Sequence, residues 1–390
     1  MYSKKYVAIA VIITFLTTAA LGALGFYWYS QINVDVLTAA KNLVTENYVD
    51  TLTDEQINEM NDAALTAMVA SLNDPYSYYF DMEDYDNFEE NNEEEYVGIG
   101  VNVEFNAKTK TLTVTSPTSG SPAQRAGVLP RDIIMGVDDI TIEKHGYDAV
   151  IDHIKGGVEG DVVKLHILRG EEKKTIPVTR EKIVTQTIFS KMLDSAVGFI
   201  KITKFQYNSV EDFSAAITKL KGSGARAIII DLRNNPGGYA DSVLKMTDML
   251  LPKGTIAYLE DNKGKREYFE SDAACINLPM AILINEGTAS AAELMAGSLQ
   301  AYELATVIGK KSYGKAVGQT PIMLTEETAI YLTTARYYTP KGECIDKIGI
   351  VPDIEAEQVG QLTNKLSEVT PDTDTQLARA MTEIYKEITK

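Results

Sequence analysis

A chain of 390 residues with 45% hydrophobic and 24% charged side chains is long enough for two or three cores, and its balance is neither disordered nor fibrous. Its 55 acidic against 37 basic side chains leave a formal charge of -18, which repels nucleic acid and anionic lipid surfaces and argues against nucleic-acid binding. Cys275 and Cys344 form no CxxC pair and His145, His153 and His166 no metal-ligand spacing, so no metal and no cofactor is expected; whether the cysteines pair is left open.

After Lys4 and Lys5 there is no charge until Asp35. The stretch Val7 to Tyr29, at roughly 1.5 Å per residue, can cross a hydrocarbon core of about 30 Å. Residues 1–30 therefore read as a single-pass transmembrane anchor, with the lysines cytoplasmic and Tyr27, Trp28 and Tyr29 at the other interface. The rival reading is a signal peptide cleaved near Ala20 to Ala23. Either way the rest of the chain lies outside the cytoplasm, at the cell membrane if the anchor stays.

Residues 31–95 carry helical spacing in Val36, Ala39, Ala40, Leu43 and Val44 and again in Ala64, Leu65, Met68, Val69 and Leu72. Pro75 ends this helical arm, and Glu89, Glu90, Glu93, Glu94 and Glu95 read as an acidic linker. Residues 96–182 turn to short β-rich runs: Gly98 to Phe105, Thr111 to Thr115, Asp132 to Val137, Val162 to Leu168 and Lys174 to Thr179, with helical spacing in Ala149 to Ile154. The punctuation Gly-Ile-Gly-Val (98–101), Ser-Pro-Ala-Gln-Arg-Ala-Gly (121–127) and the run Gly160 to Arg169 resembles a PDZ domain of the bacterial protease type. That resemblance implies a loop, Gly98, Ile99, Gly100 and Val101, whose N–H groups receive the terminal carboxylate of a peptide added as a strand.

Residues 183–360 alternate apolar strands (Ala196 to Ile202, Ala225 to Leu232, Met280 to Ile284, Ala305 to Ile308) with helices (Ser209 to Leu220, Ala240 to Leu250, Ala291 to Tyr302), which predicts an α/β domain. Residues 361–390 hold a polar linker and a last helix, Asp374 to Ile388. In Asn285-Glu-Gly-Thr-Ala-Ser290-Ala-Ala-Glu-Leu a strand runs into a turn and a helix, so Ser290 sits where unpaired N–H groups and the helix dipole would stabilise an oxyanion. A plain helix cap is the commoner use of such a serine. All three histidines precede this domain, so a base for Ser290 would be a lysine kept neutral by burial. Residue physics alone does not single out Lys315 in Ile308 to Gln319.

Together, Leu72-Asn-Asp-Pro-Tyr-Ser77, Asp231-Leu-Arg-Asn-Asn-Pro-Gly-Gly238, Asn285 to Glu293, Gly309 to Gln319, Tyr337-Tyr-Thr-Pro-Lys-Gly342 and Gly349-Ile-Val-Pro-Asp353 resemble the C-terminal processing peptidases, also called tail-specific proteases. The resemblance implies a multidomain protein: helical arm, PDZ domain and α/β Ser–Lys protease core. It implies that Ser290 attacks the scissile carbonyl, Lys315 takes its proton, Gln319 orients Lys315, and the N–H groups of Ala291 and Gly237 form the oxyanion hole. The partner would be a protein or peptide with a free C-terminal tail, and a homodimer through the helical arm and the last helix is a further expectation. Thr288 and Ala292 stand where the family commonly has serines, and Ala316 where it has glycine. Two other classes stay open: a PDZ-bearing scaffold with an inactive protease-like domain, and a hydrolase of a non-protein envelope polymer.

Overall fold

The computed structural model describes residues 35–81, 84–85, 95–106, 109–118, 120–272, 275–325, 328–359, 362 and 366–389. The expected anchor and most of the acidic linker lie outside the described residues. Among the described residues no helix is long and apolar enough to cross a membrane. The chain divides into two units, residues 1–79 and 80–390.

The first unit holds two helices, α1 (Val36–Asn47) and α2 (Asp54–Ala70). Asp35 starts α1 by accepting the Leu37 N–H at 3.1 Å, and Thr53 and Gln56 form a reciprocal capping box at α2. The chain then stops as Pro75 demands: Asn73 takes φ 51°, and Asp74 accepts the Tyr76 N–H at 3.1 Å and the Ser77 hydroxyl at 2.6 Å. No residue of α1 is buried, and Val36, Leu37, Leu43 and Val44 are exposed.

The second unit begins with a two-stranded ribbon that closes a β module on itself. Strand β1 (Glu95–Gly98) pairs with β8 (Glu181–Val184), bringing the module's two ends side by side. Between them run β2 (Val101–Asn106), β3 (Thr111–Pro117), a one-turn helix α3 (Pro122–Arg125), β4 (Ile133–Val137), β5 (Ile140–Thr141), α4 (Ile142–Lys155), β6 (Val162–Arg169) and β7 (Glu172–Thr179). The sheet order is β2-β3-β4-β6-β7, with β5 on β4, around a core of Ile99, Leu112, Ile134, Val150, Leu165 and Ile167. The single strand expected from Gly98 to Phe105 is two strands: Gly100, at φ 69°, turns the chain between β1 and β2. A Cβ there would come within 2.4 Å of the Ser121 Cβ, so only glycine fits.

The protease core is an open sheet with the order β9 (Ile188–Met192), β10 (Val197–Ile202), β11 (Ala227–Asp231), β14 (Met280–Ile284), β15 (Ala305–Gly309) and β18 (Ile354–Glu355). Only β9 runs antiparallel. Its central strands are buried on both faces, and their alternation divides one apolar run into two cores. Ile200, Ile202, Ile228, Ile230 and Ile282 face α5 (Asn208–Gly222), α6 (Ala240–Asp248) and α7 (Ala291–Ala301). Phe199, Ile229, Ala281 and Leu283 face Leu377, Ala380 and Ile384 of α8 (Thr375–Ile388). The last helix, read from the sequence as a separate segment at 361–390, thus packs Leu377, Ala380 and Ile384 against the sheet of the protease core.

Two hairpins that the sequence reading did not anticipate, β12 (Gly254–Asp261) with β13 (Arg266–Ser271) and β16 (Val317–Met323) with β17 (Ala329–Tyr338), form a second antiparallel sheet in which β17 pairs with both β12 and β16. Cys275 and Cys344 are both free thiols.

Candidate active site

The turns that leave β11, β14 and β15 converge at the carboxyl ends of the parallel strands, where an open α/β sheet places its site. Hydrogen bonds lock them together. Asn234 and Asn285 bond reciprocally, N–H to Oδ1 at 2.8 Å and Nδ2 to Oδ1 at 2.8 Å. The Ala289 N–H donates to the Asn235 carbonyl at 2.9 Å, and the Thr288 hydroxyl to the Leu232 carbonyl at 2.8 Å. The Thr288 hydroxyl also accepts the Asn285 N–H at 3.0 Å, so it ties the two turns together.

Ser290 lies at the start of α7 with φ 56° and ψ −121°, a conformation costing a non-glycine residue on the order of 1–3 kcal/mol. Its surroundings enforce that geometry. Glu293, fully buried on the first turn of the helix, accepts the Ser290 N–H at 2.9 Å, and the Tyr337 hydroxyl donates to the Ser290 carbonyl at 3.1 Å. Gly237, at φ 108°, presses so close that a Cβ would lie 2.9 Å from the Ser290 Cβ and 3.0 Å from the Ala291 nitrogen. Gly237 thus packs directly against the start of α7, and its own N–H donates to Asn235 Oδ1 at 2.8 Å.

Glu293 also fixes the segment that carries Lys315. One oxygen accepts the Lys315 N–H at 2.9 Å together with that of Ser290; the other accepts the Gly314 N–H at 2.6 Å and the Ser312 hydroxyl at 2.5 Å. Ser312 is tied in turn to Ile350, whose N–H donates to its hydroxyl at 2.6 Å, and a Cβ on the neighbouring Gly349 would lie 2.5 Å from the Ser312 carbonyl oxygen. A buried carboxylate is costly unless fully bonded, and this one takes four donors. Ser290-x-x-Glu293 has the spacing of a capping box, the one sequence signal that could have found this residue. Gln319, on β16, donates from Nε2 to Thr333 Oγ1 at 3.0 Å.

Beneath the Asn234 to Gly238 turn lies a second buried cluster. Arg233, 2% exposed, donates to both oxygens of Asp231 at 2.8 and 2.7 Å and of Asp374 at 2.9 and 2.7 Å. Burial opposes the charge on Arg233, but the two carboxylates outweigh it and raise its proton affinity further. Lys201, beside Asp231 in the sheet, is pushed below its ordinary value by burial, with the two aspartates opposing.

The histidines all lie in the β module, where His153 contacts Asp138 at 2.9 Å and His166 lies 2.9 Å from the Thr175 hydroxyl. Among the described residues no group of histidine, cysteine and acidic side chains could hold a metal. In the Gly98 to Val101 loop Ile99 is fully buried, and the carbonyls of Ile99 and Gly100 accept the N–H groups of Ala123 at 2.9 Å and Thr118 at 3.0 Å. Strand β2, which follows the loop, is an end strand of its sheet. Arg169 forms a two-pronged pair with Asp132 at 2.7 Å inside the module.

A strained serine at a helix start, pressed by a glycine turn in a parallel α/β sheet, gives the layout of a serine hydrolase. The attached β module adds a peptide-binding architecture. Comparison with known proteins agrees. The model of peptidase family S41 matches residues 196–356, that of the PDZ domain residues 97–179, and that of the activating protease CtpB N-terminal domain residues 26–84. A probable CtpA-like serine protease of Staphylococcus aureus is 32% identical over 369 residues, which cover 91% of this chain and 73% of the relative. A carboxyl-terminal-processing protease of Synechocystis sp. is 32% identical over 325 residues, covering 82% and 75%. The solved photosystem II D1 C-terminal processing protease superposes with a TM-score of 0.51 at 25% identity, covering 80% of this chain and 85% of that one. The chain belongs to the S41 family of carboxyl-terminal-processing proteases, and is a serine-type peptidase bearing a PDZ domain.

Proposed function

We propose that this peptidase cuts protein substrates near their C-termini by a Ser–Lys mechanism, with the PDZ domain receiving the tail. Ser290 attacks the scissile carbonyl, Lys315 removes its proton and later returns it to the leaving amine, and Gln319 orients Lys315. The observation that carries this reading is the Glu293 carboxylate, which accepts the backbone N–H groups of both Ser290 and Lys315 and so holds the two segments in one register. The protease core contains no histidine, which leaves lysine as the base.

The oxyanion of the tetrahedral intermediate would lie against the N–H groups of Ala291 and Gly237. The Gly237 N–H reaches it by exchanging its bond to Asn235, a step that completes the site only when substrate is bound. The substrate tail adds to the free edge of β2, with its carboxylate on the Gly98 to Val101 loop. The uncharged stretch Val7 to Tyr29 supports a single-pass anchor in the cell membrane and an extracytoplasmic catalytic domain. The exposed apolar face of α1 supports a homodimer through the helical arm.

The test uses the full chain and an unstructured protein with a free or amidated C-terminus. Wild type is expected to cleave, Ser290→Ala and Lys315→Ala to leave the substrate intact, and amidation to slow cleavage. Equal turnover by wild type and Ser290→Ala contradicts the mechanism; indifference to amidation contradicts tail docking.

A further inference from the structure

Strand β17 touches the segments that carry Ser290, Lys315 and Gln319. Its Tyr337 hydroxyl donates to the Ser290 carbonyl at 3.1 Å, its Tyr337 N–H donates to the carbonyl of Ala316, next to Lys315, at 3.0 Å, and its Thr333 hydroxyl accepts from Gln319 at 3.0 Å. The strand is itself firmly seated. It pairs with β12 through Leu259 and Tyr337, and Tyr338 stacks on Tyr258 with ring centroids 4.8 Å apart.

We propose that Tyr337 is a positioning residue for the peptidase reaction: its hydroxyl fixes the carbonyl of the strained Ser290, so that β17 sets nucleophile and base against a common strand. This rests on the reading of Ser290 and Lys315 given above. The Ser290 carbonyl and the Ala291 N–H share one peptide plane, so a donor that fixes that carbonyl also fixes the direction of the oxyanion donor beside the nucleophile. Burial, and next the nearby Glu293 carboxylate, push the Tyr337 phenol well above its ordinary value, so it remains a donor throughout the working pH range.

The competing account is a core tyrosine whose hydroxyl merely found a partner, and the two differ in what the hydroxyl does. The Ser290 carbonyl also accepts the helix N–H groups of Glu293 at 2.9 Å and Leu294 at 3.0 Å, so removing the phenol oxygen leaves no buried acceptor unpaired. A purely structural hydroxyl then predicts an unchanged rate.

Tyr337→Phe keeps the ring and deletes the donor. We expect kcat to fall roughly tenfold, equivalent to about 1.4 kcal/mol of barrier, with KM within about twofold and little change in the thermal midpoint. Replacing Tyr337 by p-aminophenylalanine, which restores an N–H donor, should recover most of the rate; p-cyanophenylalanine, an acceptor of similar shape, should not. These two variants carry the comparison should Tyr337→Phe not be recovered folded. A kcat within twofold of wild type for Tyr337→Phe, or equal rates for the amino and cyano variants, overturns the inference. Ser290→Ala is run alongside: its inactivity with an unaffected Tyr337→Phe refutes only this proposal, whereas its full activity refutes the underlying mechanism.

Discussion

At the scale of single residues, the site depends on groups that perform no chemistry. Glu293 is the clearest: a carboxamide cannot accept at both ends, so Glu293→Gln would set an N–H₂ against two donors. Hydrogen bonds to charged groups contribute about 1.5–3 kcal/mol each. We expect a lower thermal midpoint and a kcat reduced by roughly 10–100-fold, measured by calorimetry and steady-state cleavage. Gly237→Ala is a sharper case, because a Cβ at φ 108° must enter the space of Ser290 and the Ala291 nitrogen. Losing one oxyanion donor costs about 10²–10³ in rate, so kcat should fall by that order with KM little changed. The proposal of Ser290 drew on its strand-turn-helix position as well as on the family's motifs, whereas Lys315, Gln319 and Gly237 were proposed from the motifs alone, since a lysine after a glycine is common in any protein. Glu293 and Tyr337 were not singled out. Apart from the capping-box spacing of Glu293 with Ser290, their bonds cross long sequence separations, which neither spacing nor periodicity records.

At the scale of elements, periodicity served well where an element's burial follows from its own pattern. The buried strands β10, β11, β14 and β15 and the helices α5, α6, α7 and α8 lie close to where apolar runs and helical spacing put them. What the pattern left out was which surface each apolar stripe covers: α8 reads as an amphipathic helix, yet only the fold shows Leu377, Ala380 and Ile384 sealing the second face of the sheet. The hairpins β12–β13 and β16–β17 escaped because their residues are half-exposed and show no clean alternation. Docking of α8 predicts its own test. Asp374 caps the helix by accepting the Leu377 N–H at 3.0 Å and also pairs with buried Arg233. Breaking a buried ion pair by removing one partner costs about 3–5 kcal/mol. Asp374→Ala should therefore lower the denaturant midpoint strongly; a midpoint equal to wild type would show that α8 is not held through Arg233.

At the scale of the whole molecule, the PDZ and protease parts have separate hydrophobic cores. Burial works to raise the Asp132 carboxyl, but the Arg169 pair and the Leu129 N–H outweigh it and hold the group below its ordinary 3.8. A lowered carboxylate stabilises the folded state above the ordinary value and loses that contribution as pH falls through the folded one. Hydrogen-exchange protection of β4 and β6 should thus be complete at neutral pH and decline below about pH 4, a decline that Asp132→Asn should flatten. The central claim is narrower: a lysine-activated serine at the start of α7. It is tested most directly by treating the full chain with a serine-phosphonylating reagent and locating the adduct by peptide mass. The account predicts one adduct, on Ser290, in the wild type and its near-absence in Lys315→Ala under the same conditions. An adduct on another serine, or labelling of Ser290 at an equal rate without Lys315, would contradict it.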